Sequence, residues 1–194
     1  QLGWQLVLLG MSLLQMLTSL IFFVMPTQLP FFLKSLGLDP ALATGNVLGA
    51  LTISGGIAAL LYARLHKRIG AAGTLGLGYG IMAAGFLVLM AAPGFWLAFA
   101  GAILVGWGFA SVMPNFVAIA LKITPAQHRG RAGGLLTMSV FLGQIISPFA
   151  SMALISQFGF AGLYGSIAAL LLVFALCGAG RALMIRHTAP PLAS

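Results

Sequence analysis

The chain has almost no acid. Asp39 is the one carboxylate among 194 residues, set against nine Lys or Arg, and the charged fraction is 5%. A water-soluble domain charges roughly a quarter of its residues to cover its surface. A soluble globule is therefore excluded, and lipid is the expected solvent. Cysteine is equally scarce. Cys177 stands alone, which rules out an internal disulfide and a cysteine-built metal site, so it reads as lipid-facing or packed filler. The chain opens at Gln1 without Met, and has no basic start, short apolar run and small-residue cleavage site of the signal-peptide kind. It is expected to be a fragment or a processed chain.

What the chain has in excess is apolar surface: 61% of residues are hydrophobic, and the mean hydropathy is +1.12. A helix crossing a hydrocarbon core of about 30 Å needs roughly 20 residues, and six apolar runs reach that size. The first, 4–33, carries Pro26 and Pro30 in its second half, where a kink or an unwound turn is expected. After a loop from Lys34 to Pro40, rich in turn chemistry at Gly37, Asp39 and Pro40, the second run covers 41–65. The third, 71–92, is joined to the fourth, 95–123, by Pro93-Gly94, as a tight helical hairpin requires. A basic loop from Thr124 to Arg131 precedes the fifth, 132–158, and the sixth covers 161–186. The expectation is an all-α membrane protein, one six-span domain over 1–187, with a disordered tail at 188–194.

A formal charge of +8 raises the question of nucleic acid, since Lys and Arg release counterions from phosphates. The placement of the charges answers it. Arg64, Lys67, Arg68, Lys122, Arg129, Arg131, Arg181 and Arg186 fall at one set of helix ends, and Lys34 beside Asp39 falls at the other. Cytoplasmic loops hold the excess of Lys and Arg, so the pattern predicts six spans with both termini cytoplasmic and no nucleic-acid partner. Small-residue pairs such as Gly45 with Gly49, Gly76 with Gly80 and Gly130 with Gly134 are spaced to let helix backbones approach closely.

The segment Ala63-Arg-Leu-His-Lys-Arg-Ile-Gly70, between the second and third runs, resembles the G-x-L-a-D-R-x-G-R-K loop signature of the major facilitator superfamily. Leu65, Arg68 and Gly70 occupy pattern positions. Ala63 replaces the first glycine, Lys67 the acid and Ala71 the later basic residue, a decay typical of the second copy of this motif. The proline-bearing end of span one (Pro26 to Pro30), Gly106-Trp107-Gly108 with Pro114 in span four, Arg129-Gly130-Arg131, and Gly143-Gln144 with Ser147-Pro148 in span five are similar to the same family's C-terminal half. Likeness to its drug-efflux branch is looser.

That resemblance implies a six-helix half built from two inverted three-helix repeats, with substrate held between halves near the bilayer midplane and moved by alternating access. It implies a partner for this chain, either a separate N-terminal half or a second copy. It also implies that Arg64, Leu65, Lys67, Arg68, Gly70, Arg129 and Arg131 form a cytoplasmic loop gate, a charge latch holding one conformation closed until the halves rock. Gln15, Ser19 and Phe22 in span one, Trp107, Ser111 and Asn115 in span four, and Phe141 and Gln144 in span five are the candidate cavity wall. Aromatic faces and a few amides suit a small amphipathic solute, although polar groups of this kind also serve simply to join helices.

No span interior holds Asp, Glu, Lys, Arg or His, so this half cannot run a proton relay unaided, and the titrating carboxylate of an antiporter is expected in the other half. A membrane enzyme needs a nucleophile and base, paired carboxylates or metal ligands at membrane depth, and the spans offer none. His66, His128 and His187 lie in the basic segments and read as interfacial charge rather than ligands; no metal and no cofactor is expected. The expected location is a bacterial inner membrane, with the lipid bilayer and a small-molecule substrate as partners. The alternative is a six-span scaffold or assembly subunit that transports nothing. A polar stripe shared by spans one, two, four and five would separate the two.

Overall fold

A computed structural model describes the backbone of residues 2–188 and the side chains of 3–185. The tail beyond residue 188 and the side chains of Arg186 and His187 lie outside the described residues. Four long helices, α1 (Leu2–Ser35), α2 (Pro40–Met90), α3 (Phe95–Ile123) and α4 (Arg129–Thr188), account for nearly all of it, with one 3-10 turn at Ala126–His128. All four are long and apolar enough to cross a membrane. Among the described residues thirty-two large hydrophobic side chains lie on the outside, Leu60, Trp96, Phe149 and Leu176 among them, a surface that water would not tolerate and lipid does.

Two helices are too long to be straight. The 51 residues of α2 would extend about 76 Å and the 60 of α4 about 90 Å at 1.5 Å per residue, against a hydrocarbon core of about 30 Å. Each is broken at one residue. Gly70 has φ 70°, ψ −179° and Gly159 φ 67°, ψ −175°, a region open essentially to glycine alone. Around both there is free space for a side chain, so it is the backbone angle, not crowding, that demands glycine.

Contacts show that the chain reverses at both points. Leu51 and Gly78 would stand about 40 Å apart on a straight helix, yet they meet α3 at Gly106 and Gly108. Ser151 of α4 accepts a hydrogen bond from Gln28 of α1 at 2.9 Å, while Tyr164 sets its ring edge on Phe32, one turn further along α1, with centroids 5.1 Å apart. The α2 arms are thus 40–69 and 71–90, and the α4 arms 129–158 and 160–188.

The other connections are built from local chemistry. At the end of α1, Gly37 takes φ 76°, its N–H donates to Lys34 O and that of Leu38 to Leu33 O, a left-handed glycine cap. Two residues later Asp39 caps α2, its Oδ1 accepting from Ala41 N at 2.9 Å and Leu42 N at 3.4 Å, with Pro40 at the first helical position where its missing N–H costs nothing. The chain's one acid is consumed in this cap.

The structure departs from the expected unwound turn, from both expected basic loops and from part of the expected glycine contacts. The helix α1 is unbroken through Pro26 and Pro30; no turn is unwound, and Thr27 Oγ1 adds a bond to Phe23 O at 2.7 Å within that stretch. The basic segment after residue 63 is not a loop: Ala, Arg, Leu and Lys are good helix formers, and helix persists through Ile69 until the single break at Gly70. Likewise Arg129 and Arg131 belong to the first turn of α4, and the loop before them shrinks to Thr124, Pro125 and the 3-10 turn. Finally, a side chain at Gly45, Gly49, Gly130 or Gly134 would meet open space, whereas Gly76 lies against the Ala175–Ala179 backbone and Gly85 against Gly101. Spacing alone does not say which helix face meets a neighbour.

The core runs between the helices: Ile21, Met25, Leu29 and Leu33 of α1, Met82, Phe86 and Leu89 of α2, Val105 and Phe116 of α3, and Tyr164 and Leu171 of α4. Each of these is at most 2% exposed.

Candidate functional site

Along α1 the polar residues Ser12, Gln15, Thr18 and Ser19 are all buried, at three- and four-residue intervals that put them on one side of the helix. Their partners divide them. Ser12 Oγ bonds back to Leu8 O, and Thr18 Oγ1 meets Tyr79 OH at 2.7 Å, tying α1 to the second arm of α2. Gln15 Oε1 and Ser19 Oγ have no partner among the described residues. In a packed interior such groups are rare and each requires an explanation.

Gln15 lies on the wall of a cleft of about 440 Å³ between α1, α3 and the first arm of α4, with Val117 and Leu121 on one side and Gly133, Thr137 and Phe141 on the other. The cleft brings together two of the expected wall residues, Gln15 and Phe141, and adds Thr137, Val117 and Leu121. Phe141 is 58% exposed and Gln15 3%, so the cleft grades from an open aromatic rim to an amide at its wall. Ser19 sits beside it against Gly143 of α4, and Ser147 Oγ reaches Leu20 O at 2.7 Å. Gln144 is exposed. Phe22 stacks on Phe109 of α3 with centroids 3.8 Å apart.

The span-four residues face elsewhere. Asn115 is fully buried and its amide is used on both sides, accepting from Tyr62 OH at 2.9 Å and donating to Ser111 O at 3.0 Å. Ser111 Oγ bonds to Trp107 O in its own helix, and its Cβ faces Gly78; Trp107 is half-buried. Tyr62 also lies 3.1 Å from His66 Nδ1. Since its one proton goes to Asn115, the imidazole is the donor in that second bond. Asn115 is therefore a helix-joining group in this arrangement, and Gln15 the free one.

Tyr62, Thr137 and Phe109 went unread in the sequence. Tyr62 could have been found from its place one turn before His66, had the helix been carried past residue 65.

The expected gate residues cluster at helix ends. Arg64, Lys67 and Arg68 are exposed on the last turns before Gly70, and Leu65 is partly buried; cations there complement the C-terminal end of the helix dipole. Arg129 and Arg131 are exposed at the opposite pole of the dipole, on the first turn of α4. Among the described residues no group of three or more His, Cys, Asp or Glu is placed to hold a metal.

Long apolar helices doubled back at glycine, around a cleft on whose wall lies a buried amide oxygen without a partner among the described residues, define a multi-pass helical membrane protein. The family model for the Major Facilitator Superfamily matches residues 8–192. The chain belongs to that superfamily. It is 34% identical over 107 residues to proteins described as "Uncharacterized MFS-type transporter" from Pseudomonas aeruginosa strains LESB58 and UCBPP-PA14. Those matches take in 55% of this chain and 27% of each relative, so the chain spans well under two thirds of the length of the curated relatives it matches.

Proposed function

We propose that this chain is one half of a secondary active transporter that exports a small amphipathic solute from a bacterial cell by alternating access, with the opposing wall supplied by an N-terminal half or by a second copy. In this reading the α2 and α4 arms cross the membrane separately, giving six crossings in two inverted three-helix repeats, with both termini in the cytoplasm. The doubling back at Gly70 and Gly159 supports the crossings, and the concentration of cations at one set of helix ends supports the orientation. Arg64, Lys67, Arg68, Arg129 and Arg131 then face the companion half as the cytoplasmic gate. Any coupling carboxylate belongs to that half, as in an antiporter, since the one acid of this chain caps α2.

The observation that carries the reading is Gln15: a 3% exposed amide with its oxygen unpaired among the described residues, on a cleft wall whose other polar side chain, Thr137, is bonded to Gly133 O. An unsatisfied buried acceptor costs about 1–3 kcal/mol, a cost that a binding site recovers when a donor on the solute arrives.

The test is Gln15→Leu in the complete transporter, assayed by accumulation of a lipophilic cationic dye inside everted vesicles, the direction in which an exporter works there. Transport is expected to fall about tenfold, the loss of one solute hydrogen bond of about 1.4 kcal/mol, while thermal stability holds or rises because the unpaired group is gone. Loss of stability with transport intact would make Gln15 a helix-joining group and return the chain to the scaffold reading.

A further inference from the structure

A second, larger cleft of about 530 Å³ opens on the other side of the α1–α3 pair. Four segments wall it: Val7, Met11 and Leu14 of α1, the start of the second arm of α2, the end of α3, and the last arm of α4. It shares no residue with the Gln15 cleft.

Its chemistry runs in one direction. At depth lie Phe174 and Tyr79, and the Tyr79 hydroxyl is already engaged by Thr18 Oγ1, so nothing polar is offered there. About 10 Å further along α4, by helix rise, Arg181 stands on the wall at the cation-rich end and is, among the described residues, the one charged group lining the cleft. Arg181 is exposed, and among the described residues no carboxylate is near: Asp39, the one acidic side chain, caps the start of α2 at the opposite helix ends.

An apolar slot running about 10 Å along α4, rimmed by an exposed guanidinium without an ion-pair partner among the described residues, complements an apolar tail ending in an anion. We infer that this cleft holds one anionic phospholipid, an acyl chain between α1 and the arms of α2 and α4 and its phosphate on Arg181, where the planar fork of Arg suits a phosphate. The volume falls within the roughly 300–1,000 Å³ of small-ligand sites. The lipid fills a gap that the chain's own side chains leave between α1 and the second α2 and α4 arms. It is a site distinct from the transport cleft, and it stands whether or not Gln15 contacts solute.

Cys177 lines the same cleft and is the chain's one thiol, which makes it a reporter. The complete transporter, with any cysteine other than Cys177 replaced by serine, is reconstituted in phosphatidylcholine vesicles with and without phosphatidylglycerol, and the rate of Cys177 alkylation by a membrane-permeant maleimide is measured. Phosphatidylglycerol is expected to slow alkylation about fivefold, what one cation contributes against anionic lipid. Arg181→Gln is expected to abolish the difference between vesicles and Arg181→Lys to retain part of it. Val7→Trp, an exposed wall position, is expected to shrink the difference by narrowing the slot. Equal rates in the two vesicle types for the unaltered chain would overturn the inference. So would protection by inorganic phosphate alone or by the exported dye in pure phosphatidylcholine, which would assign the cleft to a free anion or to the solute.

Discussion

At the scale of single residues, a few positions carry constraints that their neighbours do not share. Gly70 and Gly159 hold a backbone region costing other residues about 1–3 kcal/mol, so Gly70→Ala and Gly159→Ala are each expected to destabilise the chain by that amount, read by thermal unfolding in detergent. A nearby control such as Gly180→Ala, with open space and no positive φ, should be neutral or slightly stabilising. Asp39 carries the cap of α2; Asp39→Ala is expected to cost about 0.5–2 kcal/mol and Asp39→Asn much less. Tyr62→Phe strips the fully buried Asn115 oxygen of its donor, and is expected to cost about 1–3 kcal/mol. A silent Tyr62→Phe would mean that Asn115 turns to face another partner.

At the scale of elements, apolar burial cannot by itself hold helices together in a solvent as apolar as their side chains, and association rests on close packing and hydrogen bonds. The α2–α3 contact shows how this is done. Gly78 faces Gly108, Gly85 faces Gly101, and Leu51 backs onto Gly106, while Ser54 Oγ crosses to Ile103 O at 2.9 Å. A side chain at Gly108 would strike the Gly78 and Met82 backbone, so Gly108→Leu is expected to force α2 and α3 apart and cost at least about 1–3 kcal/mol. Gly45→Leu, on an open surface, should leave stability unchanged. If both variants unfold alike, packing of the second α2 arm against α3 is not what holds this part of the bundle.

At the scale of the whole molecule, the six-crossing reading turns on where the chain reverses. In a Cys177→Ser background, a cysteine at Ser35 and one at Lys67 stand at opposite ends of helices that would cross the bilayer. An impermeant thiol reagent applied to intact spheroplasts is expected to label the first at once and the second only after permeabilisation. Labelling of both from one side would remove the six-crossing topology and with it the alternating-access proposal.

Solvent class was legible from the composition alone, because a chain with one acid and 5% charge has no way to cover itself in water. The apolar runs and their breaks at Gly37, Pro40 and Pro93 were also legible, since turn and cap chemistry is local and acts within a few residues. The site was less so. Gln15 and Phe141 do share a cleft, but Asn115 has the same polarity and burial as Gln15 and opposite availability, because Tyr62 of another helix saturates it. Hydrogen-bond satisfaction depends on what stands across the gap, and no periodicity along one helix encodes its neighbour. For the same reason glycines of identical spacing end in close contact at Gly76 and in open space at Gly45. The sequence by itself determined the lipid environment, the helical class and the asymmetry of charge, all properties of composition and local order; only the tertiary structure decided which polar groups are free, which small residues touch, and where the clefts open, because those follow from the packing of segments far apart in the chain.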